Sequence, residues 1–243
     1  MKSKQQTNCV KRNIVTNLVL GVLVLSVGAL CLSPVDSAEL TSGEETQIYR
    51  SAKGEGKGVS LMFNVYWGTE EVYRILDVLE KYGAQCTFFI GGCWADDNVD
   101  CLKEIVRRGH EIGNHGYFHK DHSKFNETQN TEEISRCNQF ISLATGVQPV
   151  LFAPPSGAYN QSCLQAAKAL GMKTVLWSKD TIDWRDKDSA LILKRATEGV
   201  RGGALVLMHP MAATVDALDG ILNYYKQQNL RAVTVTENLQ FGG

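Results

Sequence analysis

Short apolar runs alternate with longer amphipathic segments along the chain from about residue 58 onwards. The runs are typical of buried strands, and the longer segments repeat apolar residues every three to four positions, as helices do. This alternation predicts an α/β fold in which parallel strands are covered by helices. About seven such units would either close into a barrel or form an open sheet, and periodicity alone leaves both open.

The predicted elements follow directly from this pattern. Strands are predicted at residues 59–63, 87–90, 110–115, 149–152, 173–177, 204–209 and 232–235, and helices at residues 70–82, 102–108, 131–145, 162–170, 189–200 and 215–228. Asn130 and Glu133 have the spacing of a capping box for the third helix. Because parallel strands end on one rim, residues that follow them are expected to lie close together.

The first forty residues differ from the rest. Basic residues precede an almost wholly apolar stretch over residues 13–32, which resembles a secretory signal or an uncleaved membrane anchor. We therefore expect a signal or anchor over residues 1–40, a polar linker over 41–57 and a globular domain over 58–240. The domain would be exported, to the extracellular face of the membrane or to the cell wall, and membrane attachment would depend on whether the segment stays uncleaved.

The net charge and the cysteines indicate which partners, metal sites and disulfides are compatible with the sequence. The formal net charge is −1, so no basic surplus indicates nucleic acid as a partner. The chain has 7 cysteines but no CxxC pair, which argues against a cysteine zinc site. Outside the cytoplasm Cys93 and Cys101 are near enough in sequence to form a disulfide.

Polar and aromatic residues gather where the predicted strands end. These residues are Asn64, Tyr66 and Trp67 after the first strand, His115 and His119 after the third, Pro154 and Pro155 after the fourth, Asp180, Asp183 and Trp184 after the fifth, and His209 at the end of the sixth. They are the candidate site residues.

Several of these residue types suit metal binding or acid–base chemistry. His115 and His119 would hold a divalent metal through imidazole nitrogens. Asp183 would orient a histidine, and His209 would act as a general acid. Each also has an ordinary interpretation, as a surface histidine, a turn aspartate or a structural histidine. The Pro154–Pro155 pair equally fits a stiff turn.

In order and spacing, these pieces resemble the motifs of the polysaccharide deacetylase (NodB-homology) domain, carbohydrate esterase family four, over residues 57–239. The second motif is seen as His115-x-x-x-His119, the fourth as Asp180-x-x-Asp183-Trp184, and the fifth ends at His209. The resemblance implies a distorted (β/α)7-type barrel. It also extends to the sporulation-associated branch of Gram-positive bacteria.

The resemblance implies an enzyme that removes N- or O-acetyl groups from a sugar polymer. One aspartate and two histidines would hold a metal, and a second aspartate would act as the base. This chain departs at three positions. Asn64 stands at the base and cannot accept a proton near neutral pH. Val65 stands at the metal aspartate and has no ligand atom. Ala153 replaces the arginine that pairs with the base, a coherent loss because a buried unpaired arginine is costly.

Three functions stay open from the sequence. The first is a deacetylase that acts on acetylated cell-wall polysaccharide. Its divalent metal, zinc if any, would have water or the carboxylate of Glu70, Glu71 or Asp180 as a further ligand beside the two histidines. The second is a weak or inactive relative that binds glycan on an aromatic floor of Tyr66, Trp67, Tyr117 and Trp184, beside Pro154 and Pro155. The third is a membrane-anchored partner protein without a sugar site.

Overall fold

A computed structural model describes residues 46–52 and 56–240 of the chain. The predicted signal or anchor of residues 1–40 lies outside these residues. Within them, no helix combines the length and the apolar character needed to cross a bilayer.

The described strands form one parallel sheet. The strands are β1 (Ile48–Tyr49), β2 (Gly58–Val65), β3 (Thr87–Ile90), β4 (Glu111–Asn114), β5 (Leu151–Phe152), β6 (Lys173–Val175), β7 (Lys179–Asp180), β8 (Leu205–Met208) and β9 (Arg231–Ala232). Their order is β1-β6-β5-β4-β3-β2-β8-β7, with β9 also paired to β2. Every pair is parallel, which confirms the predicted α/β barrel-type fold.

Helices follow most of the strands and pack against the sheet. They are α1 (Thr69–Tyr82), α2 (Gly92–Asp97), α3 (Val99–Arg107), α4 (Glu127–Thr145), α5 (Gln161–Ala169), α6 (Asp183–Asp186), α7 (Ser189–Thr197), α8 (Ala212–Gln227) and α9 (Val235–Gln240). The sequence pattern did not predict the short elements α2, α6 and β7, because one or two turns carry too little periodicity.

The side chains of the central strand β2 belong to two different apolar clusters, one on each face of the sheet. All of its residues are buried. Successive side chains of a strand point to opposite faces, so Leu61 and Phe63 pack with the helices while Met62 joins a smaller apolar cluster with Phe89 and Leu205. Asn64 has the parity of Met62, which directs it to the inner face at the rim.

Part of the predicted linker of residues 41–57 belongs to the sheet. Ile48 and Tyr49 pair with β6. Ser51 then forms an antiparallel bridge with Ala204, at the start of β8. Residues 46–52 therefore link β6 to the start of β8, strands that are each second from an end of the strand order. The linker prediction was wrong here because a two-residue strand within polar sequence has no detectable period.

Two further predictions are corrected. Helix α4 begins at Glu127 rather than at residue 131, because Asn126 and Gln129 form the capping box. Asn130 is instead buried inside the helix. The strand predicted at residues 232–235 ends at Ala232, and Val235 begins α9.

The two cysteines considered for a disulfide remain free thiols. Cys93 lies on α2, and Cys101 is buried on α3. Burial raises the pKa of the Cys101 thiol to about 11.

Candidate active site

A cleft of about 310 Å³ opens where the strands end. It is lined by Asn64, Trp67, His115, His119, Ser156, Trp177, Asp180, Trp184, Leu207 and His209. Its volume is near the lower end of the range of about 300–1,000 Å³ for small-molecule sites. The structure thus brings the predicted histidines, Asn64 and two predicted tryptophans to one cleft.

Strand register places the polar residues of the cleft. Phe63 pairs with Met208 across β2 and β8, so the next residues, Asn64 and His209, follow on neighbouring strands. His115 directly follows β4, and its backbone N–H donates to the carbonyl of Ile90 on β3 at 2.9 Å. These backbone contacts position Asn64, His115 and His209 at the ends of neighbouring strands.

His209 and Asp183 form a fully bonded pair. Asp183 is completely buried, and its Oδ1 accepts hydrogen bonds from His209 Nδ1 at 2.8 Å and from the Trp184 N–H at 2.9 Å. Its Oδ2 accepts from the His209 N–H at 2.6 Å and from Thr214 Oγ1 at 2.8 Å. The predicted orienting aspartate therefore holds the imidazole through Nδ1, which leaves His209 Nε2 for a ligand in the cleft.

His115 is held in one tautomer. It is 1% exposed, and its Nδ1 donates to the backbone carbonyl of Ala153 at 2.6 Å. Burial, with smaller effects from His119 and His209, lowers the pKa of His115 to about 3. The ring is therefore neutral near physiological pH and offers Nε2 as a hydrogen-bond acceptor.

His119 lies against His115 but has a different neighbour on its other side. The ring centroids of the two histidines are 5.1 Å apart. Tyr66 stacks on His119 with a centroid distance of 4.7 Å. His119 also has a left-handed backbone, with φ of 51°, and burial lowers its pKa.

The residues present do not complete the metal site that the family pattern implies. Val65 is fully buried and packs in the core between sheet and helices. Within residues 46–52 and 56–240, no three His, Cys, Asp or Glu side chains are grouped closely enough to hold a metal ion. Asp180 lines the cleft without forming such a group, and Glu70 and Glu71 lie in the first turn of α1. The predicted replacement carboxylate is therefore not found.

Asn64 stands at the base position with an unsatisfied polar atom. Its side chain is 3% exposed, and its Oδ1 is buried without a hydrogen-bond partner. Ala153, at the arginine position, is fully buried in the apolar cluster on the inner face of the sheet. Neither residue can take a proton from water.

Two predicted tryptophans form the exposed walls of the cleft. Trp67 is 41% exposed and Trp184 is 51% exposed. The indole of Trp67 lies parallel to the His209 ring, with an interplanar angle of 4° and a centroid distance of 5.7 Å. Exposed aromatic faces of this kind suit stacking on a ligand.

Four other predicted binding residues are outside the cleft lining. Tyr66 packs on His119, and Tyr117 is 7% exposed, with the Arg136 guanidinium 4.1 Å from its ring centre. Pro154 and Pro155 are buried and form a turn that presents Ser156, whose φ is 56°.

Sequence reasoning missed three lining residues: Trp177, Ser156 and Leu207. Trp177 and Ser156 were both detectable, since Trp177 ends a predicted strand and Ser156 directly follows the predicted Pro154–Pro155 turn.

Comparison with known proteins supports the same assignment. The family model described as polysaccharide deacetylase matches residues 51–175, more than half of the chain. The Bacillus subtilis protein YlxY is 35% identical over 83% of this chain and 63% of its own length. The peptidoglycan-N-acetylglucosamine deacetylase PgdA of Listeria monocytogenes is 30% identical over 74% of this chain and 38% of its own length. The chain thus spans less than two thirds of these curated relatives.

A solved structure is similar in fold and sequence. The crystal structure of a CE4-family pseudoenzyme from Bacillus anthracis matches with a TM-score of 0.79 and 33% identity, covering 81% of this chain and 70% of that chain. A mutant of that pseudoenzyme with restored enzymatic activity matches with the same TM-score and 31% identity. With the family model, the relatives and the ordered motifs in agreement, the chain belongs to the polysaccharide deacetylase family, carbohydrate esterase family four.

Proposed function

We propose that this chain binds acetylated cell-wall glycan in the described cleft and removes acetyl groups much more slowly than complete members of its family. The observation that carries the proposal is the contrast at the rim. The Asp183–His209 pair is intact, while Asn64 and Val65 supply neither base nor third metal ligand.

The binding part of the proposal rests on the shape and chemistry of the cleft. Trp67 and Trp184 present exposed aromatic faces on a pocket that also contains the polar side chains of Asn64, His115 and His209. Sugars combine apolar ring faces with hydroxyl groups, so this arrangement fits them. The Listeria relative is a peptidoglycan-N-acetylglucosamine deacetylase, which supports a cell-wall glycan as ligand.

The slow-hydrolysis part rests on residue chemistry. A positioned general base typically contributes about 10²–10⁴-fold to a rate, and an amide at position 64 cannot serve. Asp183 would still stabilise a protonated His209, which would donate to a leaving nitrogen. The solved pseudoenzyme that resembles this chain is consistent with such a loss.

Acetate release from an N-acetylglucosamine oligomer tests the proposal. The wild type is compared, with and without zinc, with the single variant Asn64→Asp and the triple variant Asn64→Asp/Val65→Asp/Ala153→Arg. We expect the triple variant to exceed the wild type by at least about 10²-fold. His209→Ala in the triple background is the matched control and should abolish the gain.

If the wild type released acetate as fast as the folded triple variant, the proposal of slow hydrolysis would be overturned. Because Val65 is buried in the core, circular dichroism must first show that the triple variant folds. If it does not, the Asn64→Asp/Ala153→Arg pair, which restores base and arginine together, takes its place.

A second candidate is a working metal-dependent deacetylase. It is favoured by the juxtaposed imidazoles of His115 and His119, which are 5.1 Å apart at their centroids. Wild-type acetate release that requires added metal and disappears in His115→Ala would establish this function. Metal content of the purified protein provides an independent measurement.

We also propose that the domain works outside the cytoplasm. Its family acts on acetylated glycan, and named relatives act on peptidoglycan. Export through residues 1–40, cleavage of that segment and a link to sporulation remain predictions. Fractionation of cells that express the tagged full chain tests the location.

A further inference from the structure

Three polar atoms in the cleft can accept hydrogen bonds from a ligand. Asn64 Oδ1 is buried without a partner. The Nδ1 atoms of His115 and His209 are bonded to the Ala153 carbonyl and to Asp183. A ring that carries its proton on Nδ1 presents Nε2 as an acceptor, so these two bonds leave both Nε2 atoms for a ligand. A group that carries several hydrogen-bond donors therefore fits these three atoms.

The charge of the lining has the same preference. Asp180 contributes a carboxylate, and its Oδ1 accepts from the Ile182 N–H at 2.8 Å. Neither lysine nor arginine is among the described residues that line the cleft. Asp183 adds a second carboxylate directly behind His209. The site thus favours a cation over an anion.

An N-acetyl group matches these three atoms poorly. Its carbonyl oxygen is an acceptor and needs a donor or a metal ion beside it. Val65 supplies no metal ligand, and Ala153 supplies no charged donor. Once the acetyl group has been removed, the same sugar carries an ammonium with three donors and a positive charge.

From this we infer that the cleft prefers a hexosamine residue with a free, protonated amino group over the same residue with its acetyl group. The ammonium would donate to Asn64 Oδ1 and to the Nε2 atoms of His115 and His209, with Asp180 nearby. The inference rests on the proposed glycan binding. It makes the domain a receptor for partly deacetylated stretches of that glycan.

Binding of two sugar tetramers tests the preference. One is fully N-acetylated, and the other is identical except for one free amine. Affinities are measured by quenching of tryptophan fluorescence with the full chain, in a chelator and in a buffer that protonates the amine. We expect the free-amine tetramer to bind about tenfold more tightly, the factor of one charge-assisted hydrogen bond.

Matched substitutions locate the effect. Asp180→Asn keeps the Oδ1 acceptor for Ile182 but removes the charge, and Asn64→Leu keeps the volume but removes the acceptor. Each should reduce the preference several-fold. Asp219→Asn removes an exposed carboxylate that pairs with Lys81 outside the cleft, and should leave the preference unchanged.

The outcomes separate the two proposals. Equal or tighter binding of the fully acetylated tetramer overturns the inference and leaves the proposed function standing. If neither tetramer binds, the proposed function itself is overturned. A preference that survives both Asp180→Asn and Asn64→Leu also overturns the inference, because the amine would then bind elsewhere.

Discussion

The two sides of the cleft differ in how completely their polar groups are bonded. On the Asp183 side, four donors satisfy both carboxylate oxygens, and His209 is held through Nδ1. On the Asn64 side, a buried oxygen has no partner and Val65 has joined the core. The first side keeps the arrangement that the family motifs imply. The second side keeps the fold but lacks the base and the metal ligand that those motifs imply.

This difference shows that one part of the rim can lose its catalytic groups while the fold around it is kept. Val65 and Ala153 are fully buried and pack as ordinary apolar residues, so the barrel does not need the missing charges. Asp183 is equally buried but is surrounded by donors that need it. Substitutions should therefore act in opposite directions on the two sides.

The largest effect is expected from Asp183→Ala. The change leaves four donors of His209, Thr214 and Trp184 without their acceptor, and an orphaned donor costs about 1–3 kcal/mol where it is buried. We expect the free energy of unfolding in urea to fall by at least about 3 kcal/mol. Asp219→Asn, at an exposed carboxylate, is the control and should change little. A loss below about 1 kcal/mol for Asp183→Ala would show that the two sides do not differ.

The next effect concerns acid stability and His115. Burial lowers the pKa of His115 in the folded state to about 3, whereas an unfolded histidine titrates near its ordinary pKa of about 6.5. As pH falls between these values, the unfolded chain binds a proton that the folded chain refuses. Stability should therefore fall by up to about 1.4 kcal/mol per pH unit from this group.

Comparison of urea midpoints at several pH values for wild type and His115→Gln measures this contribution. The variant should lose stability less steeply on acidification. Burial also lowers the pKa of His110, to about 4, and that of His122, so the wild-type curve alone would not identify His115. Parallel curves for the two proteins would contradict the prediction.

The smallest effect, with the opposite sign, is expected from Asn64→Leu. This substitution removes a buried oxygen without a partner and keeps a similar volume. Because an unsatisfied buried polar group costs about 1–3 kcal/mol, we expect the free energy of unfolding to rise by about 1 kcal/mol. The midpoint in urea measures it, and Asn114→Leu is the matched control. Asn114 is buried and bonded to Asn138 and to the Ile134 carbonyl, so its replacement should destabilise. Destabilisation by Asn64→Leu would show that Asn64 has a partner in solution.

The long elements of the fold could be predicted because their periodicity is strong. Helix α1 and strand β2 lie close to their predicted positions. Residues 48–49 could not be recognised as a strand, since their partner Thr174 is distant in sequence and supplies the pairing. The start of α4 was misplaced because Asn126 and Asn130 both satisfy the capping rule, and only Asn126 lies outside the helix.

The sequence by itself determined the family and the chemistry that is missing, because residue type alone decides whether position 64 can take a proton or position 65 can bind a metal. Only the tertiary structure decided which predicted residues meet. It brought Trp67, Trp184 and the histidines to one cleft and buried Tyr117. It also showed that Asn64 lacks a partner, because hydrogen bonding across a sheet depends on neighbours that are distant along the chain.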